Sequence, residues 1–343
     1  AFVIVPWLYY TYYSDLEILR DHYHGMRQWV DYLTTRTDAT GLVVREEPNG
    51  WCLGDWATPA RIELPEPLVN TCYYYHCADI LSRVAPLVGR EEDVSHYEEL
   101  KRKSRAALQH VYYDDAVQRY WQGRQGADLF PLAFGMTPEE HSAGVLASLV
   151  ANVEKNARHL DTGILATPLL LEVLTDKGRP DLAFTIMNQR DFPGFHYILN
   201  QGATTLWEEW DGRGSHSHPM YGSVIRWFFK ALAGIQPDPA HPGFKHIILK
   251  PTPCGDLTFV KALFHSPYGR IRSDWEIKDQ FIWDIEIPAN TTATVYVPAM
   301  DRAQVTFSIT EGVRFIRQED GRAVYTAGSG VYQIRSDIRK SGH

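Results

Sequence analysis

Two hydrophobic rhythms divide the chain. Between positions 15 and 35, Leu16, Leu19, Tyr23, Met26, Val30 and Leu33 recur three or four residues apart. That spacing predicts an amphipathic helix, with Ser14 or Asp15 as its cap. The same rhythm predicts helices over 67–88 and 91–111, separated by a glycine stop at Val88-Gly-Arg90. Residues 130–135 read as a connector. Thr137-Pro-Glu-Glu140 offers a capping box with proline at the first helical position, and the helix it opens runs to about Asn156. Residues 163–177 and 179–190 form a further hairpin around Gly178 and Pro180, and 221–234 closes the helical part. The picture is of antiparallel helix pairs without a repeat of fixed period.

The rhythm changes at Ile235-Gln-Pro-Asp-Pro-Ala-His-Pro-Gly243, whose three prolines and glycine make a poor helix and a good boundary. Beyond it the period becomes two. Residues 245–250, 257–264, 269–276, 281–287, 293–297 and 324–334 read as short strands punctuated by Pro267, Pro288 and Gly330. This predicts a helical domain over 1–235 and an antiparallel β-sandwich over 236–343.

Composition narrows the class. The chain has 343 residues, 44% of them hydrophobic, enough to build a large core without disulfides. A formal net charge of -8 with dispersed acids argues against a nucleic-acid partner. No apolar run is long enough to span a bilayer, so no membrane partner is expected. Cys52, Cys72, Cys77 and Cys254 give no zinc spacing and read as free buried thiols. They leave the redox compartment undetermined, with an extracellular or periplasmic setting favoured over the cytoplasm. The start, Ala1-Phe-Val-Ile-Val-Pro-Trp7, lacks Met and a charged leader and opens in mid-element, as a cut or processed chain would.

The chemistry gathers in Gln201-Gly-Ala-Thr-Thr-Leu-Trp-Glu-Glu-Trp-Asp-Gly212, where Glu208 and Glu209 stand between Trp207 and Trp210. Indole faces stack on the apolar faces of sugar rings, and a carboxylate beside them can activate a water. The alternative is a loop with both indoles packed inside and the acids solvated. Gly54-Asp55-Trp56 holds a second acid-and-indole pair, a weak motif by itself that reads more readily as a structural turn. His216 and His218 follow; no third metal ligand is evident, so a hydrogen bond to a sugar hydroxyl or to the local backbone is the better reading of either. No Gly-rich phosphate loop, nucleophile elbow or Cys/His dyad is present. The expectation is carboxylate chemistry on a glycan, with no metal and no organic cofactor.

Several motifs in order resemble the inverting α-L-rhamnosidases. They are Val5-Pro-Trp7, Met26-Arg-Gln-Trp-Val-Asp-Tyr-Leu33, Gly54-Asp-Trp56, His159-Leu-Asp-Thr-Gly163 with Thr167-Pro168, and Gly202-Ala-Thr-Thr-Leu-Trp-Glu208. His218-Pro-Met-Tyr-Gly-Ser223, Ala233-Gly-Ile235, Ser266-Pro-Tyr-Gly269 and Ile287-Pro-Ala-Asn-Thr-Thr292 continue the series, so the resemblance covers nearly the whole chain.

The resemblance implies an (α/α)6 six-hairpin toroid, incomplete here and represented by its later part, followed by the β-sandwich. It implies Glu208 as general base, with Asp55, Trp56, Trp207 and His218 holding the terminal rhamnose of a glycan or glycoside. Glu209 stands where the family usually carries a basic residue, which sets like charges side by side and makes it the competing base. The family's general acid lies in an upstream acidic segment with no counterpart here. With seven or eight helices expected against the twelve of a closed toroid, the chain looks like a piece holding the base but not the acid. The competing classes are a non-catalytic glycan-binding toroid and another toroid enzyme such as a polysaccharide lyase. A lyase needs a cationic partner for an acidic sugar, which the Trp-Glu-Glu-Trp stretch does not offer.

Overall fold

A computed structural model describes residues 1–44, 54–61 and 64–337. The chain forms two compact units. One comprises Ala1–Trp7 and Leu16–Val224, the other Leu8–Asp15 and Ile225–His343. The α1 helix (Ile4–Tyr13) therefore contributes residues to each.

In the first unit, α2 (Glu17–Thr34) buries Leu19, Tyr23, Met26, Val30 and Leu33, the face its pattern predicts. Leu16 occupies its N-cap without a side-chain bond, so neither Ser14 nor Asp15 caps it. Next come α3 (Glu66–Leu87) and α4 (Val94–Tyr112), then a small hairpin of β1 (Tyr113–Asp114) and β2 (Arg119–Tyr120). The remaining helices are α5 (Gln125–Ala133), α6 (Glu139–Lys155), α7 (Thr167–Asp176), α8 (Pro180–Met187) and α9 (Phe195–Asn200). Among the described residues these make nine helices of six residues or more, slightly above the sequence expectation.

Consecutive helices pack as the pairs α3/α4, α5/α6 and α7/α8, while α3, α5, α7 and the 3-10 turn Met220–Val224 touch one another in series. The result is two layers. The inner helices α3 and α5 are buried on nearly every side, whereas α4 and α6 bury one stripe each. An inner helix buried all round has no amphipathic period. That is why α5, with Gly126 and Pro131 inside it, reads as a connector in the sequence. The expected capping box at Thr137 is not formed either. Pro138 is the N-cap of α6 and no side chain caps the helix. The segments leading into the inner helices touch one another. Gly163, Leu165 and Ala166 donate to Asp55, Asp161 donates to Gln125, and Arg61 reaches Asp211.

The second unit opens with the end of the closing helix, which widens into a π-helix over Phe228–Leu232. Its freed carbonyls are taken up from the sheet. The Trp275 indole N–H donates to the Leu232 oxygen at 2.7 Å and the Ser273 hydroxyl to the Ala233 oxygen at 2.6 Å. Ten strands follow: β3 (Ile235–Pro237), β4 (His246–Leu249), β5 (Phe259–Ser266), β6 (Gly269–Ile277), β7 (Phe281–Ile287), β8 (Thr292–Pro298), β9 (Val305–Phe307), β10 (Val313–Glu319), β11 (Arg322–Ala327) and β12 (Gly330–Ser336). They form sheets ordered β10-β11-β8-β4-β3 and β5-β6-β7-β12-β9. Both contribute to one core around Ile247, Val295, Trp275, Trp283 and Ile334. The expected antiparallel sandwich carries one exception, since β4 runs parallel to β8. The single strand expected over 324–334 is two strands, separated at Gly328.

Cys72 and Cys77 are buried as expected, Cys254 is only half-buried, and Cys52 lies outside the described residues.

Candidate active site

The Gly-Asp-Trp loop is built around a carboxylate that points inward. Asp55 is 2% exposed. Its Oδ2 accepts from the Gly163 N–H at 2.7 Å, and its Oδ1 accepts from the Leu165 and Ala166 N–H groups at 3.0 and 2.9 Å. These groups lie just ahead of α7, where backbone donors lack helical partners. Burial pushes the Asp55 carboxyl up to about 6; the three N–H groups pull it down, and nearby Asp161 adds to the rise. Asp55, which the resemblance gives to sugar binding, thus has both carboxylate oxygens engaged by backbone donors. The bond pattern continues through the Trp56 carbonyl, which accepts from the Ile164 N–H at 2.9 Å. Gly163 has no room for a side chain: a Cβ there would stand 2.1 Å from the Trp56 oxygen and 2.5 Å from the Asp55 oxygen. The Trp56 indole, by contrast, is half-buried.

The Trp-Glu-Glu-Trp loop has the opposite design. Trp207 is 9% exposed, and the His216 ring stacks on it at 4.5 Å with an interplanar angle of 16°. Trp210 is 2% exposed between Phe195 and Tyr221, with ring centroids 5.1 and 4.4 Å away. Both indoles are buried in packing, and the His216 ring covers one face of Trp207.

The acids sit at the surface of that packing. Glu208 is half-buried; its Oε2 accepts from the Ser215 N–H at 2.9 Å, while its own N–H donates to the Ser215 carbonyl at 2.9 Å. Among the described residues its Oε1 makes no hydrogen bond. Glu209 pairs with Arg213 at 3.0 Å, and Asp211 with the same guanidinium at 2.8 Å. Gly214, with φ of 75°, passes directly beneath the Glu208 carboxylate, where a Cβ would lie 2.6 Å from Oε2. His216 is engaged through Nε2 with the Gly212 carbonyl at 2.7 Å. His218 differs. Its N–H donates to the Leu206 carbonyl at 2.9 Å, and its buried Nδ1 finds no partner among the described residues.

Tyr221 stitches the two loops together. Its hydroxyl donates to the Ala57 carbonyl at 2.9 Å while its ring lies on Trp210. Burial pushes the phenol's pKa well up, and the Asp55 charge adds to that rise. Ala57 holds φ of 58°, a left-handed conformation that a non-glycine residue keeps only when its surroundings fix it. Arg61 adds a 3.4 Å contact to Asp211. The sequence reading missed Tyr221 because it fell inside an expected helix. It missed Arg213 too, although an arginine two and four residues after acids is a legible pairing signal.

Paired inner and outer helical hairpins with a carboxylate loop at the inner helix ends, together with a separate β-sheet unit, are the architecture of the six-hairpin glycosidase class with a C-terminal β domain. Residues 1–232 match the bacterial alpha-L-rhamnosidase 6 hairpin glycosidase domain, and residues 234–310 match the bacterial alpha-L-rhamnosidase C-terminal domain. The chain belongs to the bacterial α-L-rhamnosidase family.

Among curated proteins it is similar to an α-L-rhamnosidase of Streptomyces avermitilis, 34% identical over 97% of this chain and 32% of that protein. A Formosa agariphila α-L-rhamnosidase is 28% identical over 97% of this chain and 38% of its own length. Among solved structures, the Streptomyces avermitilis α-L-rhamnosidase complexed with L-rhamnose superposes with a TM-score of 0.89 at 32% identity, covering 98% of this chain and 32% of that one. The α-L-rhamnosidase from Dictyoglumus thermophilum gives 0.88 at 30%, covering 98% and 39%. The chain thus spans roughly a third of the length of the relatives it matches.

Proposed function

We propose that this chain carries the water-activating half of an inverting α-L-rhamnosidase site, with Glu208 as the general base. The observation behind the reading is the state of the Glu208 carboxylate. It is half-buried on a Gly-bounded loop, held through Oε2 by one backbone N–H, with no hydrogen bond to Oε1 among the described residues. The neighbouring acids are otherwise engaged: Glu209 and Asp211 are ion-paired to Arg213, and Asp55 is buried behind backbone donors. The unpartnered Nδ1 of His218 and the half-buried Trp56 supply a polar contact and an apolar wall for a terminal rhamnose. L-rhamnose is the ligand in the Streptomyces avermitilis relative.

Inversion needs a proton donor on the opposite face of the sugar, roughly 6.5–9.5 Å from the base. Among the described residues, the acids beside Glu208 are ion-paired to Arg213 and Asp55 is engaged by backbone donors, so we assign the donor to another part of the polypeptide. The test follows an aryl α-L-rhamnoside by proton NMR with the complete enzyme. The β anomer of rhamnose is expected first. First appearance of the α anomer, or full turnover by residues 1–343 alone, overturns the reading.

A further inference from the structure

We propose that Asp55 is a positioning residue: its buried carboxylate locks the Trp56 loop to the segment before α7 and so fixes the sugar-facing wall opposite the Glu208 loop. This rests on the α-L-rhamnosidase reading for its purpose, though the lock itself is a matter of geometry. Three backbone donors at 2.7–3.0 Å converge on one side chain that is 2% exposed. The reverse bond, Ile164 N–H to the Trp56 carbonyl at 2.9 Å, closes a ring of contacts in which both strands of chain hold each other. Gly163 makes this approach possible, since any side chain there meets backbone at 2.1 Å. The far end of the loop is held separately by Tyr221 on the Ala57 carbonyl. Trp56 is therefore bracketed on both sides by bonds that its own side chain does not make.

The lock depends on the charge of Asp55. As a carboxylate it is acceptor-only and can serve all three N–H groups; as a carboxylic acid one oxygen carries a hydrogen of its own. The charged and titratable groups around it are Asp161 and Arg124, which line the small cavity beside it, and Tyr221. Asp161 and Arg124 form an ion pair at 3.6 Å, so Asp55 has no cation to itself. Its proton uptake near pH 6 follows from burial more than from any neighbour. Lowering the pH through this range removes acceptor capacity from the buried carboxyl and so weakens the three bonds that make the lock.

Two readouts on the full chain test the proposal. The first is hydrogen exchange at the Gly163, Leu165 and Ala166 amides, normalised for the intrinsic pH dependence of exchange. Protection in the wild-type chain falls about tenfold between pH 7 and pH 5, as a charge-assisted bond weakens, and in Asp55→Asn it is low and flat. The second is L-rhamnose titration by NMR. If only the locked form binds, affinity falls up to about tenfold over the same interval, and Asp55→Asn shows no such change. Unaltered protection in both the pH series and the variant overturns the lock, and the wild-type series decides even if the variant fails to fold. Opening of the lock with pH-independent rhamnose affinity overturns the positioning role. A wild-type chain with an intact lock that binds no rhamnose at either pH sinks the family-based function instead, and with it the purpose of the lock, while the exchange data stand.

Discussion

The two acid-and-indole loops use the same residue types for opposite ends. In the first, the acid is inside and the indole outside: Asp55 is saturated by three backbone donors and Trp56 is half-buried. In the second, the indoles are inside and the acids outside: Trp207 and Trp210 form the packing, and Glu208 lies over it with one oxygen bound. A carboxylate without water needs fixed donors and becomes part of the scaffold. A carboxylate at the rim keeps the freedom to accept a proton from solvent. On the proposed reading, the reactive carboxylate is the one where the backbone donors run out, not any acid that stands beside a tryptophan.

The largest expected effect separates the loops by chemistry. In the complete enzyme, Glu208→Gln keeps the shape and the Ser215 contact but cannot take the proton from water, so kcat is expected to drop about 10²–10⁴-fold with rhamnose binding retained. Glu209→Gln is expected to cost far less. Steady-state kinetics on an aryl rhamnoside decide it; a reversal of the two effects makes Glu209 the base.

Much of this arrangement was legible before any coordinates. The α2 face and the β7 strand Phe281–Ile287 follow the patterns that predict them, because each buries one face only. What stayed hidden was set by contacts distant in sequence. The parallel pairing of β4 with β8 is a choice of partner that no local pattern encodes. The β10 strand has charged and half-exposed positions throughout, so its alternation is weak. The Asp55 turn is fixed by residues more than a hundred positions away. Sequence reading located both acid loops but could not tell which acid faces the solvent.

A second comparison replaces two glycines. Gly163→Ala drives a Cβ into the Trp56 and Asp55 carbonyls, which are backbone and cannot swing aside. A loss of roughly 3 kcal/mol in stability is expected by denaturant titration. Gly214→Ala meets the Glu208 carboxylate instead, the movable end of a side chain, at φ of 75°. Its expected stability cost is about 1 kcal/mol, and, with Glu208 as the proposed base, turnover of the complete enzyme is expected to fall as the carboxylate is displaced. Equal stability losses in the two variants remove the distinction between a rigid and a yielding loop.

The buried acids also give the folded chain a pH signature. Asp55 is raised to about 6, and Asp128, buried behind β2 and α6, to about 7, each mainly by burial. Both take up a proton more readily in the folded chain than in the unfolded one, where they titrate near 3.8. Protonation therefore favours the fold, and their contribution to stability falls as pH rises from about 4 to 7. Between pH 7.5 and 5.5 the gain is on the order of 2–3 kcal/mol. Thermal unfolding should shift up by several degrees over that interval. The shift should shrink in Asp128→Asn and in Asp55→Asn. This runs opposite to the loosening of the 163–166 segment, so global stability and local protection are expected to move in contrary directions on acidification. A Tm that falls between pH 7.5 and 5.5 contradicts the assignment of these two carboxyls as the raised ones.

The smallest effect concerns Arg213, and it bears on which acid is the base. Its guanidinium holds Glu209 at 3.0 Å and Asp211 at 2.8 Å, with Arg213 and Asp211 exposed and Glu209 half-buried. Exposed pairs of this kind are worth about 0–1 kcal/mol, so Arg213→Gln is expected to leave stability almost unchanged. Its use is as a release. If Arg213 keeps Glu209 turned away from the water, freeing it in the Glu208→Gln background gives the second carboxylate its best chance to act. The expected result is no recovery: Glu209 lies one residue on, and its backbone does not carry the Ser215 bonds that aim Glu208. The double variant in the complete enzyme should then match Glu208→Gln within about threefold, with the single Arg213→Gln within the same margin of wild type. That margin corresponds to less than about 1 kcal/mol. Recovery of tenfold or more in the double variant means the two glutamates are interchangeable and that pairing with Arg213, rather than backbone aim, selects the base.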